Sequence, residues 1–205
     1  MSASIPLFFP ELEILLASKS PRRQQLLRDM GLRFQQIAQN VEEDYPASLP
    51  LADIALFLAQ KKARSVLHLL EKPEQLLLCS DTTVIDAENS YEKPQSTEEA
   101  KAFLKALSGK THEVRTAVCL WGQEKRYDIV GSSKVEFAEL TDQQIDYYVS
   151  HFQPFDKAGG YAIQEWIGLI GIKGIQGSYF NIVGLPSQQL FAALCDYQRI
   201  LDQKK

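Results

Sequence analysis

Apolar and polar positions divide the chain into short apolar runs and helical stripes that alternate along its length. Residues 13–17, EILLA, form a short apolar run that predicts a buried strand. Ser20 can cap a helix with Pro21 at its first position, Leu26, Leu27 and Met30 on its apolar face, and Gly31 as its stop. Weak alternation in residues 32–38, LRFQQIA, predicts a second strand, and a polar loop spans 39–50. From 51 to 70, Ile54, Leu56, Leu58, Ala63, Val66, Leu67 and Leu70 recur at helical spacing. LLLCSDTTVID, 76–86, predicts a central strand interrupted at Asp81, followed by a turn at 87–90. Residues 96–109 predict a helix begun by Ser96 or Thr97 and ended by Gly109.

Two further strands are expected at 112–121 and 125–140, joined by a GQEK turn, and a capped helix at 141–152. The glycine-rich stretches 157–164 and 168–184 look strand-like, and 185–201 closes as a helix. Helices and strands interleave throughout, without repeats or linkers. The expectation is an α/β fold around a mixed sheet, in one unit with room for two lobes.

Composition narrows the partners. The 205 residues are 45% hydrophobic and 23% charged, enough for a real core, and the net charge of -4 gives no general reason to expect nucleic acid or an anionic membrane. Cys79, Cys119 and Cys195 are odd in number, far apart and set in apolar surroundings, so they are expected to be reduced core thiols. The N-terminal MSASIPLFFPELEILL lacks a basic leader region and is broken by Pro6, Pro10, Glu11 and Glu13. No run approaches the roughly 18 apolar residues of a membrane span. A soluble cytoplasmic protein is expected.

Local charge then becomes informative. Ser18, Ser20, Arg22 and Arg23 gather where a strand ends and a helix begins. Two arginines in a first turn oppose the helix dipole, whereas a docked anion would receive amides, hydroxyls and guanidinium forks together. A surface Arg–Arg pair beside an ordinary proline cap is the bland alternative. Asp81 lies in an apolar, β-branched run, where an ionised carboxylate is costly unless partnered. It could be a structural residue bonded by neighbouring hydroxyls, or a metal ligand or general base.

Glu42, Glu43 and Asp44 form a charge run on a polar loop, Lys62 is one of several helix lysines, and Lys93 precedes Pro94 after a turn. Each could be merely solvated. Lys157 enters a stretch where Gly159 and Gly160 would admit a ligand close to the backbone, and Gln164 could be an edge-strand polar residue or a base-reading amide. His68, His112 and His151 lack zinc-site spacing, and neither a Walker phosphate loop nor a nucleophile elbow is present. Carboxylates among several Lys and Arg point to metal-assisted chemistry on a polyphosphate.

The order of these pieces resembles the Maf family of nucleotide pyrophosphatases, also called septum-formation proteins. The matching segments are LLASKSPRRQQLL, VEED, LAQKKA, SDTTV, EKP, LSGKTHEVRTAV, FDKAGGYAIQ and GSYFNIVGLP, in family order. They imply a single domain over 1–205, with 1–12 as an N-terminal extension and 13–194 as the core. The implied fold is an elongated mixed sheet flanked by helices, two lobes about a central cleft, similar to the inosine-triphosphate pyrophosphatases. The implied reaction is hydrolysis of a nucleoside triphosphate to the monophosphate and pyrophosphate with Mg²⁺ or Mn²⁺, by a homodimer.

By resemblance Ser18, Arg22 and Arg23 belong to the phosphate loop, Glu43, Lys62, Lys93 and Gln164 line the cleft, and Asp81 is the base. Glu43 and Asp81 would share the metal. Ser80 and Thr83 depart from the family's common Ala and Val, and Gly160 and Ala162 exchange its usual Ala and Gly, with no functional group lost. Arg22, Thr82 and Gln164 match the group acting on dTTP and UTP, with modified pyrimidine nucleotides possible. The 7-methyl-GTP group is the alternative within the family, and a nucleotide-binding regulator of cell division is the alternative outside catalysis.

Overall fold

Apolar Ile14, Leu15 and Leu16 make β1 (Glu13–Leu16) a buried strand, which turns at Ser20 into α1 (Pro21–Asp29). The computed structural model describes residues 8–204. After α1 come β2 (Phe34–Gln36), α2 (Ile54–Val66) between single 3-10 turns, β3 (Gln75–Ile85), β4 (Ser90–Tyr91) and α3 (Thr97–Leu107). The chain continues through β5 (Thr111–Gly122), β6 (Arg126–Phe137), α4 (Asp142–Phe152), α5 (Trp166–Gly171), β7 (Ile172–Gln176), α6 (Tyr179–Val183) and α7 (Ser187–Asp202). Among the described residues no helix is long and apolar enough to cross a membrane.

The strands form one mixed sheet in the order β2-β1-β3-β5-β6-β7, with β4 also on β3. β1 is parallel to β2 and β3, whereas β3, β5, β6 and β7 pair antiparallel in succession. This is the mixed α/β architecture the alternation of elements predicts. β1 follows β3 only as far as Leu78, and β4 joins β3 at Val84. Between them, residues 79–83 of β3 have no strand neighbour on that side among the described residues.

Among the described residues, three apolar cores surround that gap. α1 and α7 pack on one face of the sheet through Leu27, Leu190, Leu194 and Tyr197. On the other face α2 lies close, because Ala55, Ala59 and Ala63 put a small-residue stripe against Leu77, Cys79, Ala117 and Cys119. Beyond the gap, α3, α4 and α5 bury Leu104, Tyr148 and Ile167 with Val84, Val114, Val135 and Phe137. The first two cores, on opposite faces of the sheet, make one lobe and the third makes the other. Cys79 and Cys119 are buried free thiols, and Cys195 is a half-buried one.

Several elements differ from expectation. Asp81 does not interrupt β3, which passes through it in register with Ala117, since backbone pairing to β5 continues and the carboxylate finds a cation. Residues 157–164 form no strand. Gly159 and Gly160 take φ of 71° and 67°, left-handed values that close a short 3-10 turn instead. Of 168–184 only Ile172–Gln176 pairs as a strand, and the flanks are α5 and α6. Gly168 explains the first flank, for a Cβ there would sit 1.8 Å from the Ile163 carbonyl oxygen. Ser178 begins the second by accepting from the Asn181 amide at 3.4 Å. The second strand keeps only three of its seven expected residues.

Candidate functional site

The gap in β3 opens into a cleft of about 620 Å³, the size of a small-molecule site. Ser18, Arg22, Arg23, Glu43, Lys62, Asp81, Thr82, Lys93 and Gln164 all line it. The structure thus brings together every residue that the family resemblance assigns to the site. Of the acidic run on the 39–50 loop it selects Glu43, while Asp44 pairs with Lys61.

Strand alternation separates two groups. Asp81 shares the face of Cys79 and Leu77, under α2, where Lys62 meets it. Lys62 Nζ lies 2.5 Å from Asp81 Oδ1 and 2.7 Å from Glu43 Oε1, and Lys93 Nζ lies 2.5 Å from Glu43 Oε2. Lys62 and Asp81 are nearly closed to solvent, whereas Glu43 and Lys93 stand half open at the mouth. Burial pushes the Asp81 carboxyl above its ordinary value, against the pull of Lys62 and Arg23. Burial would raise Glu43 as well, but Lys62 and Lys93 together bring it down to about 2. One carboxylate is therefore poised to take a proton and its neighbour is fixed as an anion.

Thr82 points the other way, toward α1. Ser20 caps that helix by accepting from the Arg23 amide at 3.4 Å, and the Ser20 amide donates to Ser18 Oγ at 3.2 Å. The Arg23 guanidinium is spread over four acceptors: Nε on Gly184 O at 3.0 Å, Nη1 on Ser80 O at 3.1 Å and Ser18 Oγ at 3.4 Å, and Nη2 on Thr82 Oγ1 at 2.9 Å. Four of its five N–H groups are engaged, leaving one on Nη2 for a ligand. Burial lowers its pKa, with Asp81 the largest opposing influence.

Arg22 reaches across the cleft to Asp156, Nη1 to Oδ2 at 3.1 Å. Asp156 also holds Lys157 at 2.6 Å, and Lys157 in turn faces Glu165 at 3.4 Å, whose other oxygen receives the Tyr148 hydroxyl at 2.5 Å. Asp156 was not singled out from the sequence. A carboxylate beside a lysine ahead of the double glycine was the available signal, and its value appears only once Arg22 is seen opposite. Gln164 is exposed at the far wall, next to Ile163 and near Tyr161, whose hydroxyl is bonded to His112 Nε2 at 2.7 Å. Burial lowers His112 to about 4, so at pH 7 it is a neutral prop for that ring.

Among the described residues, Lys19, Arg22, Arg23, Lys62, Lys93 and Lys157 line this space beside a serine-capped helix start, a setting for a polyanion. Among the described residues no three His, Cys, Asp or Glu side chains gather as a metal group. The carboxylates of Glu43 and Asp81 lie on either side of Lys62, and Asp81 Oδ2 accepts no hydrogen bond among the described residues.

Comparison with known proteins converges on one family. A family model described as Maf-like protein matches residues 13–197. A protein of Christiangramia forsetii named dTTP/UTP pyrophosphatase is 46% identical over 182 residues, covering 89% of this chain and 92% of its own. One of the same name from Cytophaga hutchinsonii is 43% identical, covering 89% and 83%. Among solved structures, the Staphylococcus aureus Ham1 protein overlaps it with a TM-score of 0.41 at 15% identity, over 62% of this chain and 72% of that one, a partial likeness from which nothing further follows.

Proposed function

This chain belongs to the Maf-like protein family, and on that premise we propose that it is a nucleoside triphosphate pyrophosphatase acting on dTTP and UTP. The observation that carries this reading is the cluster of Asp81, Lys62 and Glu43 beside a cationic helix start, in one cleft of nucleotide size. The triphosphate lies along Ser18, the start of α1, Arg22 and Arg23. Lys62 and Lys93 face the charge that grows on the phosphoryl oxygens as water attacks. Asp81, ionised and with one oxygen unbonded, takes the proton of that water.

The donor set also fits a divalent cation, which takes one or two carboxylates and completes its shell with phosphate oxygens and water. Glu43 and Asp81 would hold it. Bound, Mg²⁺ or Mn²⁺ would neutralise phosphate charge and make a nearby water more acidic. Lys62 holds the two carboxylates in place before it arrives.

Selectivity follows from the far wall and α1. The Gln164 amide and the Thr82 oxygen offer a donor and acceptors to the two carbonyls and single N–H of a pyrimidine dione. CTP reverses one of those pairs and is disfavoured. Arg22 repels the cationic ring of 7-methyl-GTP. We also infer a cytoplasmic homodimer. Reduced Cys79, Cys119 and Cys195 suit that compartment, and exposed Leu169, Ile170, Ile175, Tyr179 and Phe180 around the outer strand β7 suit a second copy.

Pyrophosphate release from equal concentrations of dTTP, UTP, CTP, ATP, GTP and 7-methyl-GTP with Mg²⁺ tests the reading. The dTTP and UTP rates should lead, and Asp81→Asn should fold normally and lose at least ~10²-fold in rate. Activity of Asp81→Asn within a few-fold of the parent would overturn the assignment of the base.

A further inference from the structure

Thr116 sits on β5 in register with Thr82 on β3, fully buried at 0% exposure. Its Oγ1 donates to the Asn181 carbonyl at 2.8 Å and lies 3.0 Å from Thr82 Oγ1. A hydroxyl owns one proton, and a carbonyl oxygen can only accept. The proton of Thr116 is therefore spent on Asn181, and the bond between the threonines must be donated by Thr82. Thr82 in turn accepts from Arg23 Nη2 at 2.9 Å. The chain runs in one direction, from Arg23 through Thr82 and Thr116 to Asn181. Reversing the middle bond would leave the 2.8 Å contact between Thr116 Oγ1 and the Asn181 carbonyl without a proton, and that carbonyl with only the Gly184 amide at 3.1 Å.

The far end of the chain is anchored. Asn181 Nδ2 donates to Val114 O and to Ser133 Oγ, each at 3.0 Å, and Ser133 Oγ donates to Ser178 O at 3.0 Å. Gly131 leaves the space for this side chain, since a Cβ there would fall 2.3 Å from Asn181 Oδ1. The other side of Arg23 is held by Gly184 O, three residues past Asn181. One short segment, 181–184, thus fixes the guanidinium twice: directly through Nε and indirectly through two hydroxyls.

We propose that Thr116 is a positioning residue for the pyrophosphatase reaction, holding the Arg23 guanidinium through Thr82 in the attitude that meets the substrate phosphates; this rests on the reading of the cleft given above. Thr116 lies outside the residues that line the cleft and acts only through that relay. Without it, Thr82 regains a free proton and rotor, and the Nη2 end of Arg23 loses its fixed acceptor. The phosphate contact would weaken in ground and transition states alike, which raises KM and spares kcat.

The test compares wild type, Thr116→Val and Thr116→Ser with UTP and Mg²⁺, alongside nitrogen-15 NMR of Arg23 Nη rotation about the Cζ–Nε bond. Valine keeps the shape and removes the hydroxyl, whereas serine restores it. The expected result is a KM about tenfold higher in Thr116→Val with kcat within about twofold, faster Nη rotation, and return of both to wild-type values in Thr116→Ser. Adding Thr116→Val to Arg23→Lys should raise KM little beyond Arg23→Lys alone. Unchanged KM and unchanged Nη rotation in a folded Thr116→Val protein, or full additivity with Arg23→Lys, overturns the proposal. Should Thr116→Val not fold, Thr82→Val cuts the same relay one link nearer the arginine and must give the faster Nη rotation, which is the readout used there because Thr82 also faces the substrate base. A wild type that releases no pyrophosphate refutes the reading of the cleft, while the NMR comparison still decides the link between Thr116 and Arg23.

Discussion

Replacing Lys62 by methionine keeps length and apolar volume but removes the cation that two carboxylates share. Lys62 is 5% exposed and Asp81 7%, and their charged atoms are 2.5 Å apart. Glu43 keeps Lys93 at 2.5 Å and an open side to water, so its loss is small. Asp81 is the group left stranded. Removing one partner of a buried pair costs roughly 3–5 kcal/mol, which places Lys62→Met near 3 kcal/mol at pH 8. A proton on Asp81 limits that cost. Burial already raises this carboxyl, and without Lys62 it rises further, each unit being about 1.4 kcal/mol. A folded pKa above the unfolded value makes its contribution fully present at low pH and lost as pH rises through the folded value. The deficit should therefore be smaller at pH 5 than at pH 8. Lys62→Met with Asp81→Asn should recover most of it at pH 8, in a protein that stays inactive. Urea unfolding of the parent, both single variants and the double at the two pH values measures all of this. A deficit equal at pH 5 and pH 8, or a double variant no more stable than Lys62→Met, would refute the reasoning.

The pH profile of kcat/KM should fall on the acid side along one ionisation, above the 3.8 of a free aspartate, because Asp81 must be ionised and burial raises it. Glu43, held at about 2, contributes no second step, and a limb steeper than one proton between pH 4 and 8 would contradict the assignment. Gly131→Ala should destabilise by roughly 1–3 kcal/mol in thermal or urea unfolding, since its Cβ would overlap Asn181 Oδ1 at 2.3 Å and Pro186 Cβ at 2.9 Å. A neutral Gly131→Ala would mean that Asn181 can move away without cost.

Where local chemistry decides conformation, the sequence was a sufficient guide. Ser20 and Pro21 mark the start of α1, Ser96 that of α3 and Thr141 that of α4, and each side chain caps its helix as the pattern predicts. The glycine-rich region resisted for a physical reason. In 157–184 the glycines serve left-handed turns and a close backbone approach, while apolar residues between them mimic a strand period. Of the candidate site, Asp81 in an apolar run and paired arginines at a helix start stand out in the sequence because each is costly without a purpose, whereas Glu43, Lys62 and Lys93 look like ordinary solvated charges and come in only through the family resemblance. Thr116 and Asn181 carry no such mark. Their meaning depends on register opposite Thr82 and on which hydroxyl owns which proton, and neither is written in a linear pattern.

The gap in β3 has a mechanical consequence. β3, β5 and β6 run unbroken from the cores under α1, α2 and α7 to the core under α3 and α4, so the lobes share one hydrogen-bonded spine. Hinge closure needs a few residues free to absorb large changes in φ and ψ, and a continuous three-strand ladder supplies none. Asp81 is borne by that spine, and Lys62 and Arg23 by helices packed on it. Glu43 and Asp156 instead belong to 37–50 and 153–157, which hold neither helix nor strand. Adjustment around a bound molecule therefore falls to these two flaps, moving against a fixed anvil on which Asp81, Lys62 and Arg23 do not change places.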